Sequence, residues 1–261
     1  MKYLFALLLL WTGLQAGPWN HDAYDTQPKS IIRDSEAYRS SFFGSNDLIR
    51  YGTTNFWSVP LWVSYEIKAA PVKPSIYPRP SQWTTDKTLV LLGIATTEKP
   101  YLNSHYDRGH MCMKEIGSRM GADADLHTHS MLNAVPQTHE LNAGIWLDLE
   151  KHTMQWADRY GSVWVICGPA FSNQRPTRWI GDARSGRIAV PDLCWKIIIR
   201  TNAGLSVLAF QYPNVTTMPK AGPYRHEPYA VSLATIEKET GLTFLKGQPV
   251  DHGKTIETLW P

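Results

Sequence analysis

The stretch "YDRGHMCMKE", residues 106–115, sets an acid, an arginine, a glycine and a histidine side by side from Asp107 to His110. A permanent cation thus stands two residues from a base that titrates near neutrality, with a glycine between them. Arg108 offers a planar charged fork suited to phosphate oxygens, which gain charge in a pentacovalent transition state. A neutral His110 can take a proton from water about to attack. Gly109 lets the backbone pass close to a ligand or adopt a positive φ, and Asp107 can anchor the loop through backbone amides or an arginine. The competing reading is a salt-bridged turn carrying an exposed histidine.

Downstream lies "MLNAVPQTHELNAGIWLDLEKH", residues 131–152, which holds Asn133, Asn142 and Glu150, with Pro136-Gln137 between the two asparagines. Ile145, Leu149, His152 or Thr153, Trp156 and Tyr160 recur at helical spacing, so residues 143–160 read as one amphipathic helix closed by Gly161. Asn142 falls where that helix begins, and asparagine is a good N-cap. Glu150 lies two turns on, ~12 Å of rise along roughly the same side. Taken singly, Glu150 reads as a solvated helix residue, and it could share a metal with Asn142 only through water.

At 261 residues and 43% hydrophobic, the chain can bury one good core, and one domain is the expectation. Residues 1–16, "MKYLFALLLLWTGLQA", give a charged Lys2, an apolar run over 3–11 and a small residue at Ala16. That run is too short to span a bilayer and has no polar helical face. We read it as a cleavable export signal, which implies a secreted or periplasmic protein with no stable membrane association after cleavage. Losing Lys2 takes the net charge from +3 to +2, a mild basicity that permits an anionic partner without arguing for one. Export allows disulfides, but three cysteines cannot all pair within one chain. Cys167 and Cys194 sit in apolar, strand-like runs and are the favoured pair, with Cys112 left over. Three buried free thiols are the other arrangement.

Residues 17–44 are polar, aromatic and irregular, an N-terminal arm ahead of a domain over 45–261. Residues 61–67 alternate as a strand, the proline-rich 69–87 is loop, and a second apolar run covers 88–94. "SVWVICGPAF" reads as a strand, and "CWKIIIR", "TNAG" and "LSVLAFQY" as a β-hairpin. "SLATIEKETG" reads as a short helix capped by Ser232 and stopped by Gly241. Strands, one long helix and more strands point to an α+β domain, not to alternating βαβ units.

These motifs, taken in order, resemble one family. Asp107-Arg108-Gly109-His110, then Asn133-x-x-Pro136-Gln137, Leu141-Asn142-x-Gly144-x-Trp146 and Leu149-Glu150 are similar to the DNA/RNA non-specific endonucleases. Arg79-x-x-x-Trp83-x-x-Asp86 is similar to that family's R-x-x-x-F-x-x-D element, and the resemblance covers about residues 45–245. It implies a ββα-metal (His-Me finger) fold, with a mainly antiparallel central sheet and a long helix carrying the metal site. By the same resemblance His110 is the general base and Arg108 a phosphate clamp. Asn142 is the single protein ligand of a hydrated Mg²⁺, with Mn²⁺ as a substitute. Glu150 orients a metal-bound water, Asn133 supports the His110 loop or the substrate, and Arg79 is a second phosphate contact. DNA and RNA are the implied substrates, and the oligomeric state stays open. A neutral amide suits Mg²⁺, which keeps several of its waters, and a clamp on phosphate reads backbone and not bases.

The chain departs from the family in "MCMK" after His110. Arg175, Arg178, Arg184 and Arg187, interleaved with Trp179, read either as a basic strip for nucleic acid or as a solvated loop. Two other functions compete. One is a zinc hydrolase using His105, His110, His127, His129 and His139, although no zinc-type spacing is present. The other is a catalytically inactive nucleic-acid-binding module on the same scaffold.

Overall fold

Apolar side chains alternate along four strands so that both faces of one sheet are buried, and this sheet organises everything else. The computed structural model describes residues 27–28, 41–45, 49–54, 57–70, 77–182, 184–202, 205–245, 248–255 and 258–261. The expected export signal, residues 1–16, lies outside them. Among the described residues no helix is long and apolar enough to cross a membrane.

In chain order the strands are β1 (Gln27–Pro28), β2 (Ser41–Ser45), β3 (Arg50–Thr54), β4 (Pro60–Lys68), β5 (Asp107–His110), β6 (Ala134–Gln137), β7 (Ser162–Ala170), β8 (Arg178–Asp182), β9 (Gly186–Val190), β10 (Leu193–Arg200), β11 (Ser206–Pro213) and β12 (Leu242–Thr243). The α-helices are α1 (Lys87–Leu91), α2 (Lys114–Met120), α3 (Ala122–Thr128), α4 (Leu147–Tyr160) and α5 (Leu233–Thr240). Six strands form the central sheet in the order β11-β10-β7-β4-β3-β2, with every neighbouring pair antiparallel. The fold is therefore α+β around an antiparallel sheet. Two described pieces of the expected arm are strands: β1 pairs with β12, and β2 forms an edge of the central sheet, crossing the expected boundary at residue 44.

On one face Val63, Tyr65, Val165, Cys167, Ile198 and Phe210 pack against Leu149, Trp156 and Ala157 of α4. On the other, Trp164, Ile166, Trp195 and Ile197 pack against Ile180 and Ile188 of the β8–β9 hairpin and Leu233 and Ile236 of α5. Each large side chain fully buried this way contributes ~1.5–3 kcal/mol relative to exposure.

The β10–β11 hairpin and α5 form where the sequence places them. Ser232 Oγ accepts from Thr235 N, and Gly241 ends α5 in the left-handed region at φ 68°. The run at 88–94 is helical at its start because Asp86 Oδ1 accepts from Thr88 N and Leu89 N. The long helix differs from the expected 143–160. A wide turn, Leu141–Trp146, precedes it, and the helical path breaks at Gly144 (φ −100°, ψ −120°). A Cβ on Gly144 would come within 3.2 Å of both Pro219 O and Tyr224 Oη, so the close approach of residues 219–224 dictates this glycine.

Of the two cysteine arrangements the sequence leaves open, the structure has the free thiols: Cys112, Cys167 and Cys194 are all buried and unpaired. Cys167 lies opposite Lys196 and Cys194 opposite Pro169, which makes the two cysteines diagonal neighbours across β7 and β10. Diagonal positions are ~7–8 Å apart, whereas a disulfide needs Cβ atoms ~3.8 Å apart.

The tightest backbone approach in the sheet is at Gly168 of β7. A Cβ there would lie 2.5 Å from Leu61 O and 3.0 Å from the Trp195 ring. Gly168→Ala should therefore destabilise the fold by ~1–3 kcal/mol through overpacking, read as a lower midpoint in denaturant with an unchanged slope.

Candidate active site

Strand β5 turns the four-residue motif into two faces. Its antiparallel register with β6 sets Asp107 opposite Gln137 and His110 opposite Ala134. With a period of two, Arg108 and His110 share a face and Asp107 points the other way. Gly109 is needed because a Cβ there would run into the Gln137 side chain.

On the first face Trp83 is the floor. Its ring lies 4.6 Å from that of His110 and 5.2 Å from that of His129, and the Arg108 guanidinium stands 5.7 Å from its centroid. The His110 and His129 rings meet edge-on at 4.8 Å. His110 Nε2 is buried and has no hydrogen-bond partner among the described residues. Burial holds the His110 pKa well below its ordinary value, helped by the neighbouring His129, Arg79 and Arg108. Exposed Arg79 also depresses His129, after burial as the main cause. The ring of His110 is thus a neutral imidazole between guanidinium groups. Arg108 Nη1 is engaged with Glu98 Oε2 at 2.6 Å.

On the second face Asp107 Oδ2 accepts from Asn142 Nδ2 and sits beside His139 Nδ1, both at 2.9 Å. Asn142 caps no helix; it stands inside the wide turn, and α4 begins beyond it without a side-chain cap. Because Asp107 takes the amide nitrogen, the amide oxygen of Asn142 is turned away from that carboxylate. These are hard oxygen donors of the kind Mg²⁺ prefers, and one neutral oxygen suffices for an ion that keeps its waters.

Asn133 is fully buried and entirely occupied with backbone. It accepts from Cys112 N at 2.9 Å and donates to Cys112 O and Thr128 O, each at 2.8 Å. It fixes the chain just after His110 and offers nothing to a substrate. Glu150 is buried too, and not a solvated helix residue: its Oε1 lies 3.4 Å from Lys196 Nζ, whose ammonium sits 4.1 Å from the Trp146 ring centroid. The Trp146 indole donates to His110 O at 3.2 Å. Glu150 therefore stands behind the cleft, joined to His110 through Trp146. Burial raises its carboxyl to about 7, against the opposing pull of Lys196.

Glu98 and His129 are the site residues that sequence reasoning missed in these roles. Nothing in the sequence marks Glu98. His129 had a signal, its closeness to the Asp107–His110 motif in a histidine-rich stretch, but it was weighed only as a zinc ligand. His127 lies in the last turn of α3, which ends at Thr128, and His129 follows it as the C-cap. Among the described residues the one group of three or more side chains able to hold a metal is Asp148, His152 and His226, which includes none of the five histidines considered for zinc. The expected basic strip is partly spent: Arg178 pairs with Asp192 at 3.2 Å, and Arg187 stacks on Trp179 at 4.6 Å.

A family model described as DNA/RNA non-specific endonuclease matches residues 49–251. The chain is 27% identical over 218 residues to a mitochondrial nuclease EXOG of Danio rerio, covering 80% of this chain and 62% of that protein. A Nostoc nuclease is 25% identical over 241 residues, covering 88% and 79%, and a Serratia marcescens nuclease 29% over 210, covering 76% and 72%. The chain thus spans less than two thirds of the zebrafish relative's length. In fold it is similar to the crystal structure of the EndoG/EndoGI complex, with TM-score 0.66, 23% identity, and coverage of 78% of this chain and 85% of that one.

The Glu150 carboxyl gives a stability test whose sign is fixed. With a pKa moved from 4.5 to about 7, the folded state keeps a proton that the unfolded chain has released. The contribution is full below the unfolded value and is lost as pH rises through about 7. Denaturant unfolding of wild type and Glu150→Gln should show the wild type losing ground to the variant across that window, with a constant difference above it.

Proposed function

Because the chain belongs to the DNA/RNA non-specific endonuclease family, we propose that it is an exported, metal-dependent endonuclease that hydrolyses phosphodiesters of DNA and RNA with little sequence preference. One observation carries this reading: the buried Nε2 of His110 has no hydrogen-bond partner among the described residues, and Arg108 and Arg79 are close enough to favour the neutral imidazole. A neutral imidazole accepts a proton, and the guanidinium groups attract the phosphate that must lie next to it.

In this reaction His110 Nε2 takes a proton from water as the water oxygen bonds to phosphorus and one phosphorus–oxygen ester bond breaks. Arg108 leaves Glu98 for the phosphate oxygens, so Glu98 holds the fork in place until substrate arrives. Asp107 orients the Asn142 amide so that its oxygen can hold hydrated Mg²⁺, and the histidine base and metal ligand are set by two faces of one strand. When bound there, Mg²⁺ would supply positive charge to the phosphate and the leaving oxygen. Glu150, with Lys196 and Trp146, positions the His110 backbone. Arg79 is a second phosphate contact. Export rests on the apolar run at 3–11 and is checked by N-terminal sequencing of the mature protein.

Supercoiled plasmid and single-stranded RNA are both expected to be cut in Mg²⁺. Binding of both without cleavage would leave the inactive-module reading standing instead. His110→Ala should lose ~10²–10⁴-fold in turnover with phosphodiester binding kept. The acid limb of the wild-type rate should fall below the ordinary histidine value of 6.5, because every cause acting on His110 lowers it. A limb near 7 that disappears in Glu150→Gln would assign the titration to Glu150.

Arg108→Lys keeps the charge but loses the planar fork, and should cost about tenfold or more in kcat. Asn142→Ala should weaken Mn²⁺ uptake in the cleft as read by electron paramagnetic resonance, independently of turnover. Unchanged uptake would remove Asn142 from metal binding.

A further inference from the structure

Away from the cleft, α4 carries a second cluster of metal-ligating side chains. Asp148 and His152 are one turn apart on the helix, and His226 reaches them from the segment after β11. Asp148 Oδ2 lies 3.0 Å from His226 Nε2 and 3.4 Å from His152 Nδ1. One ligand atom from each of the three residues falls within 4.8 Å of the other two. In a tetrahedral zinc site with bonds of ~2.0–2.2 Å the ligand atoms stand about 3.3 Å apart. Two of the three separations are already at that value, and the third lies within 4.8 Å; closing it takes His152 Nδ1 off the Asp148 carbonyl oxygen, 3.0 Å away.

We propose that Asp148, His152 and His226 form a second metal site, one that takes a first-row transition ion of the Zn²⁺ class and is separate from the Mg²⁺ position at Asn142. Two imidazoles and one carboxylate are a donor set for such an ion and not for Mg²⁺, which prefers oxygen alone. The surroundings are built for it. Tyr212 Oη is 2.8 Å from His226 Nδ1, so the ring's far nitrogen is held by a hydroxyl that can accept its proton when Nε2 turns to a metal. Trp156 lies 5.9 Å from the His152 ring, and Phe210 6.0 Å from the His226 ring, which limits their rotation. His226 is almost fully buried, while the Asp148 and His152 side chains are 29% and 39% exposed, leaving a solvent side for a fourth ligand. No net proton need leave: each ring proton moves to the other nitrogen, toward Tyr212 for His226 and toward solvent for His152.

The site would act as a staple. Its ion would bind the first turns of α4 to residues 219–226, and Pro219 and Tyr224 of that segment are the groups that press on Gly144 in the wide turn. The inference does not depend on the nuclease reading.

The test uses the full chain, stripped with a chelator and titrated with Zn²⁺ by calorimetry in excess Mg²⁺. One tight equivalent is expected, with a rise in Tm of about 5 °C at ~100-fold Kd, and Co²⁺ in its place should give the strong visible bands of a tetrahedral ion. His152→Ala, at a half-buried position, should lose the equivalent and the Tm rise, whereas His110→Ala should keep both. Wild-type protein that takes up no Zn²⁺, or a His152→Ala variant that binds it as wild type does, overturns the site. So does loss of binding in His110→Ala with His152→Ala unaffected.

Discussion

A lysine and a glutamate meet in the middle of the core, and the arrangement of sheet, helix and cleft depends on their staying together. Lys196 projects from the centre of β10, and Glu150 from the first turn of α4, with the Trp146 ring against the ammonium. Neither charge has bulk water to turn to. Breaking such a pair by removing one partner costs roughly 3–5 kcal/mol, because the survivor is left buried and uncompensated. The pair ties α4 to β10 beside Trp146, whose indole N–H donates to the His110 carbonyl.

The chemistry is divided between what is buried and what faces the cleft. Asn133 spends its whole amide on Cys112 and Thr128, and Tyr65 donates to Met111 O at 2.9 Å. Both hold the chain just past His110, so the imidazole is positioned by groups that never meet a substrate. Asp107 does the same for Asn142 on the opposite face. His110 Nε2 is left without a partner among the described residues, and the Asn142 amide gives only its nitrogen to Asp107. This division matches a general expectation that a reacting group is held by partners locked in place by packing.

Much of the fold was legible because its signals are local. Ser232 and Gly241 mark the ends of α5 within ten residues, and the β10–β11 hairpin is written as two apolar runs around a turn. The helix start was not legible, since Gly144 answers to Pro219 and Tyr224, some seventy-five residues away. Glu150 misled for the same reason: a carboxylate on a helix reads as solvated until its distant partner is known. The clue was a single lysine in the apolar strand "CWKIIIR", which a period of two turns toward the core. In the candidate site, Asp107, Arg108 and His110 stand out by order and chemistry, whereas Asn142 alone reads as a helix cap and draws attention only through the family resemblance. Glu98 does not stand out, because an isolated glutamate before a loop carries no pattern.

The three cysteines have a consequence for how the domain is held together. Burial pushes the Cys167 and Cys194 thiols up to about 12 and holds Cys112 well above its ordinary range. Burial thus disfavours, in all three, the thiolate that attacks an oxidant or a disulfide. The packed domain is therefore held together without a disulfide, and its three thiols are shut inside the core, away from any oxidant in solution.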